Sequence, residues 1–358
     1  MANMDVRTPR FYVDRINYLL TRGVSDNQFY LNSDSGQLST MTSGSVPELF
    51  DMRPLNQVVF DTSNNRTEHV VLSLDQNFGS YKTNFIAILN HNMSSASTNI
   101  RVSQSGTEGH ITATDFASGT RLENLVEVIG VADSGIDNTD TNFNIIKPSS
   151  DGHMIITFDE FASSYIGIQF EGSENSDGTS TGAYFDNSND LSIGCILIGE
   201  YYDMPVSPDL ALKRNIIYDQ QNIQESLGGQ KFSNITNYGK RYISATNKSP
   251  FHTYTGNGAR GVYGGRITYD MKFSYLGSDT LMPSTHNIQN QSDDTVVSDV
   301  WNYTHGGHIP FIFTQDGLAT LPHSESDYLF ARFAQNGLNM TQVAPDVFDV
   351  TMKIEEEF

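Results

Sequence analysis

Residues 81–105, YKTNFIAILNHNMSSASTNIRVSQS, decide the fold class of this chain. Residues 85–89 form a continuous apolar run of strand length, and residues 99–103 alternate between apolar and polar side chains as a second strand does. Between them, residues 90–97 supply short side chains that bond their own backbone in turns. The stretch predicts two β-strands joined by a polar turn, as in a binding or assembly module.

The amino-acid composition excludes several classes of protein. The chain has 358 residues, enough for two β domains that each bury a core without a metal or a disulfide. Its formal net charge is −21, which opposes attraction to nucleic acid or to an anionic membrane surface. No run approaches the ~20 apolar residues of a membrane-spanning helix. We therefore expect no nucleic-acid partner and no membrane insertion.

Residues 1–28 are predicted to form an N-terminal arm. They begin MANMDVRTPRFYVDR, without the apolar core or cleavage site of a secretory signal, so folding in a cytoplasm is expected. Residues 10–22, RFYVDRINYLLTR, are typical of a short amphipathic helix that Gly23 ends. Such an arm docks either on a neighbouring subunit or on its own domain. The residues predicted to contact a second subunit are Phe11, Tyr12, Tyr18 and Leu19.

From residue 29 onward, short apolar runs separated by polar turns predict a β domain. The predicted strands are residues 58–60, 70–74, 85–89, 154–158, 166–170 and 193–198. Residues 132–144 and 172–190 are rich in Asp, Asn, Ser, Thr and Gly, and they are predicted as long loops. Long loops at the end of a rigid β scaffold are common contact sites.

Four segments, in order along the chain, resemble a known family. The sequence FIAILNHNMSSASTNIRVSQS is similar to the central hairpin of discoidin-like jelly-roll domains, which occur in many phage tail proteins and in carbohydrate-binding modules. The segment SLDQNFGSYKTNF precedes this hairpin, and the segments SYIGIQFEG and SIGCILIGEYYDMP follow it. The resemblance implies a discoidin-like jelly-roll β-sandwich over residues 29–206.

Within this resemblance, His91 and Asn92 are interpreted as turn residues that satisfy backbone groups at the exit of a strand. The cysteine pair that closes many extracellular discoidin domains is absent, because the chain has one cysteine. The single tryptophan, Trp301, lies outside the resembling region. Glycan or lipid binding is therefore not transferred from the family.

The C-terminal part of the chain is predicted to form a second antiparallel β domain over residues 231–358, after a connector at residues 207–230. Residues 266–275, RITYDMKFSY, alternate as a half-buried strand does. Further strands are predicted at residues 310–314, 328–333 and 347–354. The order of these pieces is similar to the C-terminal β domain of distal tail and tail-tip proteins of tailed bacteriophages.

The sequence contains few candidates for metal binding. His305 and His308 have a His-x-x-His spacing, but no acidic or thiol ligand follows at a fixed offset. Residues 133–142 and 174–178 carry carboxylates suited to calcium, yet neither segment follows the twelve-residue loop pattern. We therefore predict solvated loops and no metal site.

Catalytic patterns are also missing from the sequence. The carboxylates at residues 159–160 and 355–357 are adjacent, and neighbours on a strand point to opposite faces. There is no Gly-x-Ser-x-Gly elbow, phosphate loop or dinucleotide-binding motif. Cys195 stands in an apolar strand and is predicted to be a buried, inert thiol. The chain is predicted to have no enzymatic activity and no cofactor.

These features favour a structural virion protein of a tailed bacteriophage. It would assemble in the host cytoplasm as a symmetric homo-oligomer in the distal tail, tail tip or baseplate hub, with fibres or receptor-binding parts attached. Its expected partners are other copies of itself, other tail proteins and a host surface glycan. One alternative is a carbohydrate-binding receptor module or capsid-surface adhesin, in which Tyr201 and Tyr202 stack on sugars. Another is a polysaccharide depolymerase.

Overall fold

The computed structural model of the chain describes residues 7–23, 29–32, 40–64, 70–75, 82–112, 116–161, 163–176, 181–217, 221–235, 266–284, 294–318 and 328–357. The structure is mostly β, with antiparallel sheets. The predicted all-β fold class is therefore confirmed. Among the described residues, no helix combines the length and the apolar character that crossing a membrane requires.

Twenty-four strands are numbered along the described chain. The first twelve are β1 (Arg10–Asp14), β2 (Phe29–Asn32), β3 (Met41–Ser43), β4 (Val58–Phe60), β5 (Val70–Asp75), β6 (Thr83–His91), β7 (Thr98–Ser105), β8 (Val126–Ile129), β9 (Val131–Asp137), β10 (Asn144–Pro148), β11 (Gly152–Phe161) and β12 (Tyr165–Gly172). The others are β13 (Glu174–Ser176), β14 (Thr181–Tyr184), β15 (Leu191–Ile193), β16 (Cys195–Asp203), β17 (Lys213–Ile217), β18 (Gln221–Glu225), β19 (Lys231–Ile235), β20 (Arg266–Gly277), β21 (Phe311–Thr314), β22 (Tyr328–Phe333), β23 (Asn339–Ala344) and β24 (Val347–Glu356).

The helices in the described ranges are short. They are α1 (Arg15–Thr21), α2 (Glu108–Thr112), α3 (Ser278–Leu281), a 3-10 helix (Val46–Phe50) and a π-helix (Val296–Asn302). Asp14 caps α1, because its side chain accepts a hydrogen bond from the Asn17 backbone N–H. The π-helix packs against β1 and β16.

Two large sheets hold seventeen of the twenty-four described strands, and the others form three small sheets, β13-β14, β15-β4-β3 and β18-β19. The main sheet has eleven strands in the order β17-β20-β24-β22-β21-β1-β16-β6-β11-β8, with β23 paired to β24 beside this path. The second sheet has the order β2-β5-β12-β7-β10-β9. Apolar side chains from β6, β11 and β16 of the main sheet share a core with those of β7, β10 and β12 of the second sheet. The two sheets therefore pack face to face.

The strand β6 explains why residues 85–89 are continuously apolar. It lies inside the main sheet between β11 and β16. Successive side chains of a strand point to opposite faces. Ile86 and Ile88 enter the core shared with the second sheet, whereas Phe85, Ala87 and Leu89 enter the core on the other face. Since both faces of β6 are buried, no position of this run is left for a polar residue.

The N-terminal segment differs from the predicted helical arm. Residues 10–14 form the strand β1, and only residues 15–21 form a helix. β1 pairs with β16 on one side and with β21 on the other. The predicted helix over residues 10–22 is therefore wrong in its first part, because two strands distant in the sequence supply hydrogen-bond partners that a single-sequence pattern does not show. Residues 1–6 and 24–28 of the predicted arm lie outside the described residues.

The predicted loops and connector contain strands. Within residues 132–144 the chain forms most of β9, which pairs with β10 at the edge of the second sheet. Residues 172–190 include β13 and β14, which pair with each other. The connector at residues 207–230 includes β17, which belongs to the main sheet. The main sheet thus takes strands from both sides of the connector, and the division into domains stays a prediction.

Candidate functional site

The four residues predicted as subunit contacts lie in the hydrophobic core of their own chain. Phe11 and Tyr12 are 0% exposed, and Tyr18 and Leu19 are 2% and 5% exposed. The Phe11 ring packs against three other phenylalanine rings with centroids 5.4–6.0 Å away. This packing corresponds to the second alternative for residues 10–22, docking on the chain itself. In this structure the four side chains present no surface to a neighbouring subunit.

The two tyrosines predicted to stack on sugars do not form a common platform. Tyr201 and Tyr202 are neighbours on β16, so their side chains point to opposite faces of the sheet. The guanidinium of Arg10 lies 4.0 Å from the centre of the Tyr201 ring. Tyr202 is 9% exposed, its hydroxyl donates a hydrogen bond to the Thr280 carbonyl, and burial raises its pKa. Arg10 thus covers one face of the half-buried Tyr201, and Tyr202 is buried, so stacking on a sugar stays a prediction.

The His91-Asn92 turn has the chemistry that the sequence predicted. Nδ1 of His91 accepts a hydrogen bond from the Met93 backbone N–H, and the ring is buried. Burial lowers the pKa of His91 to about 3, so the ring is neutral at pH 7. The Asn92 side chain accepts from the Ser192 N–H and donates to the Asp190 carbonyl, both at 2.7 Å. The turn ties β6 to β15 and to the residue just before it.

The residues considered as candidate metal ligands make other contacts. His305 stacks on Tyr18 and shares a hydrogen bond of 2.8 Å with the Thr21 hydroxyl. Asp137 and Asp140 each accept a hydrogen bond from a backbone N–H two residues onward, as turn residues do. In the part of the chain that the structure describes, no three His, Cys, Asp or Glu side chains are placed to hold a metal ion.

A buried ionic cluster, which the sequence did not predict, joins the N-terminal segment to the C-terminal part of the chain. It consists of Arg15 at the start of α1, Glu200 on β16 and Asp299 in the π-helix. Arg15 donates a hydrogen bond to Glu200, and its guanidinium carbon lies 3.2 Å from the centre of the Tyr303 ring. Arg15, Glu200 and Asp299 are all less than 9% exposed. The cluster is inaccessible to a substrate and acts as an internal tie.

The charges of this cluster do not cancel. One guanidinium faces two carboxylates, and burial raises the pKa of Glu200. Burial and the Glu200 carboxylate raise the pKa of Asp299 to about 7, although Arg15 and the Thr295 N–H oppose the shift. A buried site that holds one cation and two acids is stabilised when one acid is protonated. Asp299 is therefore the group of this cluster that titrates near neutral pH.

An open cleft of about 710 Å³, lined by polar and apolar side chains alike, lies beside α1. Its lining includes Asn17, Thr21, Asp51, Arg53, His308 and Glu357. Nε of Arg332 donates a hydrogen bond of 2.6 Å to Glu357, and its Nη1 donates to the carbonyls of Gly307 and His308. Asp51 accepts bonds from the Arg53 N–H and the Asn56 amide. These groups are therefore held in place by hydrogen bonds to one another.

The hairpin formed by β18 and β19 exposes apolar side chains. The two strands pair only with each other among the described strands, and a turn closed by a Ser226 N–H to Gln230 carbonyl bond joins them. Ile223, Leu227 and Phe232 are 55%, 112% and 56% exposed. All side chains from residue 223 to residue 233 are exposed. This β18–β19 hairpin is a candidate contact surface.

Other exposed apolar residues lie on β17, at one end of the main sheet. Ile216 and Ile217 on β17 are exposed, and β17 pairs with β20 alone among the described strands. Exposed apolar groups on strands with free edges are typical of surfaces that bind another chain. The periodic pattern of the sequence did not single out this region, because its apolar residues are few and separated by polar ones.

The features described above fall into two groups, one in the interior of the chain and one on its surface. The interior holds the ionic cluster and the His91-Asn92 turn, and the surface offers the cleft and the β18–β19 hairpin. Comparison with protein-family models, with curated proteins and with solved structures finds no match to this chain.

Proposed function

We propose that this protein is a structural component of a bacteriophage tail, part of the distal tail, tail tip or baseplate hub. In this proposal its two packed sheets include a discoidin-like jelly roll over residues 29–206. Copies of the chain assemble in the host cytoplasm as a symmetric homo-oligomer, and other tail proteins, fibres or receptor-binding parts attach to it. Contact with a host glycan remains a further part of the proposal.

The observation that carries the proposal is the exposed β18–β19 hairpin. An isolated two-stranded hairpin is marginally stable in water. This one has no described strand beside it, and it places Ile223, Leu227 and Phe232 in solvent. Covering these side chains with another protein would remove apolar surface from water, at roughly 25 cal/mol for each Å². An exposed hairpin of this kind therefore supports a role in assembly.

The main sheet adds support for a mechanical role. Ten of its eleven strands run from β17 to β8 without a break in strand pairing. The buried ion pair between Arg15 and Glu200 and the ring contacts of Phe11 connect segments that are distant in the sequence. Such a sheet transmits force through backbone hydrogen bonds and a close-packed core. A tail component needs this stiffness more than it needs a mobile active site.

The test is detection of the chain in purified virions. Phage particles whose genome encodes this chain would be purified on a density gradient, and their proteins would be identified and counted by mass spectrometry. We expect the chain to be present in a fixed, small number of copies per particle. Immunogold labelling would place it at the tail end distal to the capsid. Purified virions that lack the chain would contradict the proposal.

A further inference from the structure

The loop between β22 and β23 carries an asparagine followed by a glycine, Asn336 and Gly337. Both residues are exposed. Apart from the two adjacent residues, no atom lies within 4 Å of the Cβ that a side chain at Gly337 would add. Within the described part of the chain, neither the Asn336 amide nor the Gly337 backbone N–H has a hydrogen-bond partner. Both groups are therefore open to solvent.

The residues on either side hold this pair in place. The Gln335 side chain donates a hydrogen bond of 3.1 Å to the Thr351 carbonyl and accepts one of 2.9 Å from the Lys353 N–H, both on β24. The Ala334 N–H donates to the Lys353 carbonyl at 2.9 Å. Leu338 packs against the buried core. The loop is thus attached before and after the pair, and the pair itself projects from it.

An asparagine in this setting closes a ring with its own backbone. The Gly337 nitrogen, after it loses its proton, attacks Cγ of Asn336. A bond between this nitrogen and Cγ forms, the bond between Cγ and Nδ2 breaks, and the leaving nitrogen takes up protons and departs as ammonia. The product is a five-membered succinimide. Water then opens the ring at one of its two carbonyl carbons, which leaves aspartate or isoaspartate. Each conversion consumes one water and releases one ammonia, without oxidation or reduction.

Glycine is the residue that hinders this attack least. It has no Cβ beside the attacking nitrogen, and its backbone adopts conformations that other residues avoid. The nitrogen must also be available, because an N–H that already donates a hydrogen bond is held in that bond. Gly337 meets both conditions, since its N–H has no partner among the described residues.

The pair Asp316 and Gly317, which can form the same ring, shows the opposite arrangement. The Gly317 N–H donates a hydrogen bond of 2.8 Å to the Thr8 carbonyl. The Asp316 carboxylate accepts a bond of 3.3 Å from the Leu318 N–H. A Cβ at Gly317 would lie 2.6 Å from the Arg10 side chain, so this glycine is closely packed. The structure therefore separates a held pair from an open one.

We propose that Asn336 is a site of spontaneous deamidation, at which the folded chain converts its own asparagine to aspartate and isoaspartate. This proposal goes beyond the tail role and does not rest on it. The sequence has one other asparagine followed by glycine, Asn257, which lies outside the described residues. Conversion there is followed separately by the same measurement.

The conversion changes the loop in two ways. Either product adds a negative charge to a chain whose formal net charge is already −21. Isoaspartate also places one extra atom in the main chain, between the attachments at Gln335 and Leu338. Because the pair is exposed and bonds no described residue, we expect the converted chain to stay folded. Converted copies should therefore accumulate as the protein ages.

The test follows the full, folded chain at physiological pH and temperature. Samples taken over time are digested with trypsin, and the peptide of residues 333–353 is sequenced by mass spectrometry. We expect residue 336 to convert about as fast as it does in a synthetic peptide of the same residues. Asn339, in the same peptide, is exposed but is followed by Met340, so it should keep its amide. In water labelled with the heavy oxygen isotope, each converted residue should carry one heavy oxygen.

Two variants at Gly337 test the role of its nitrogen. Gly337→Pro removes the N–H, so the ring cannot form and conversion at residue 336 should be lost. Gly337→Val keeps the N–H but crowds it, and its side chain has room, so conversion should slow several-fold if the proline variant does not fold. Gly106→Val is the matched control, because Gly106 is also exposed with no atom near its Cβ. This control should convert at residue 336 as the wild type does.

Three results would overturn the proposal. The first is a folded chain that keeps the Asn336 amide over the time in which the synthetic peptide converts. The second is conversion that occurs only after urea has unfolded the chain. The third is conversion at residue 336 that is equally fast in the wild type and in a folded Gly337 variant. None of these results bears on the presence of the chain in virions, so the proposed function is tested separately.

Discussion

The strand β6 and the β18–β19 hairpin are both antiparallel β structure, but they lie in opposite environments. All nine residues of β6 are buried. Every side chain from residue 223 to residue 233, in the hairpin, is exposed. Apolar side chains contribute to stability when they leave water. The apolar residues of β6 therefore stabilise the fold, whereas those of the hairpin stay exposed to solvent.

The largest expected effect comes from removing an aromatic ring at β6. Phe85 is 0% exposed, and the Tyr12 ring lies 5.2 Å away. We expect Phe85→Ala to lower the free energy of unfolding by about 3–5 kcal/mol, through lost apolar burial and a cavity. Phe232→Ala, the same substitution at the hairpin, should change it by less than about 0.5 kcal/mol. Urea unfolding followed by circular dichroism measures the free energy of unfolding of both variants. Equal losses would contradict the view that β6, and not the hairpin, stabilises the fold.

The buried ionic cluster should show the next largest effect. Arg15→Leu leaves Glu200 and Asp299 buried without their cation. Removing one partner of a buried ion pair costs about 3–5 kcal/mol. We expect the lower end, about 3 kcal/mol, because Asp299 can take up a proton instead. Urea unfolding at pH 7.5 tests this, with Arg7→Leu as the exposed control; a loss below 1 kcal/mol would mean that the cluster does not hold the fold.

Asp299 should make stability fall as pH rises. Burial and Glu200 raise its pKa in the folded chain to about 7. The folded state thus favours the protonated acid, so its contribution is present at low pH and lost as pH rises through about 7. Relative to Asp299→Asn, the wild type should lose about 1 kcal/mol per pH unit between pH 4 and pH 7. Unfolding curves of both proteins across this range measure the difference, and parallel pH profiles would refute the assignment.

His91, at the end of β6, should give the opposite pH dependence. Burial lowers its pKa in the folded chain to about 3, from the ordinary value of 6.5. Its contribution is therefore present above pH 6.5 and lost as pH falls. Relative to His91→Asn, the wild type should lose about 1 kcal/mol per pH unit from pH 6 down to pH 4. The pH dependences that Asp299 and His91 give to the free energy of unfolding nearly offset each other in the wild type, so only the single variants reveal them. If His91→Asn and the wild type had identical pH profiles, the pKa of His91 would be the same in the folded and unfolded chain.

The smallest effect on stability is expected at the hairpin. Ile223 and Leu227 are 55% and 112% exposed, so shortening them removes little buried apolar surface. Replacing both with serine should change the free energy of unfolding by less than about 0.5 kcal/mol. The same change should weaken binding of the chain to tail particles that lack it. Sedimentation of the chain with such particles measures the binding, and unchanged binding would remove the hairpin from the contact surface.

The strands with continuous apolar runs could be predicted from the sequence. β4 and β22 begin and end at the predicted residues, and β6, β11 and β12 contain the predicted runs. Strands buried on both faces have no polar alternation to obscure them. The predicted helix over residues 10–22 failed in its first part because β1 and a helix both accommodate the apolar sequence FYV. The choice between them depends on β16 and β21, which begin 185 and 301 residues after β1.

The candidate sites were harder to predict than the strands. The members of the ionic cluster, Arg15, Glu200 and Asp299, are far apart in the sequence and follow no motif. The predicted subunit contacts and the stacking tyrosines proved to be interior residues or residues with covered rings. Exposure depends on which strands pair, and a single sequence does not contain that information.

The sequence by itself determined the β class, the run of β6, the His91-Asn92 turn and the buried position of Cys195. These depend on local patterns: apolar runs, turn-forming side chains and the preference of a thiol for the interior. Only the tertiary structure decided that β1 lies inside the main sheet, that Arg15 meets two carboxylates, and that β17 and β8 are the terminal strands of this sheet among the described residues. Long-range strand pairing sets all three, because it selects which side chains leave water and which charges come together.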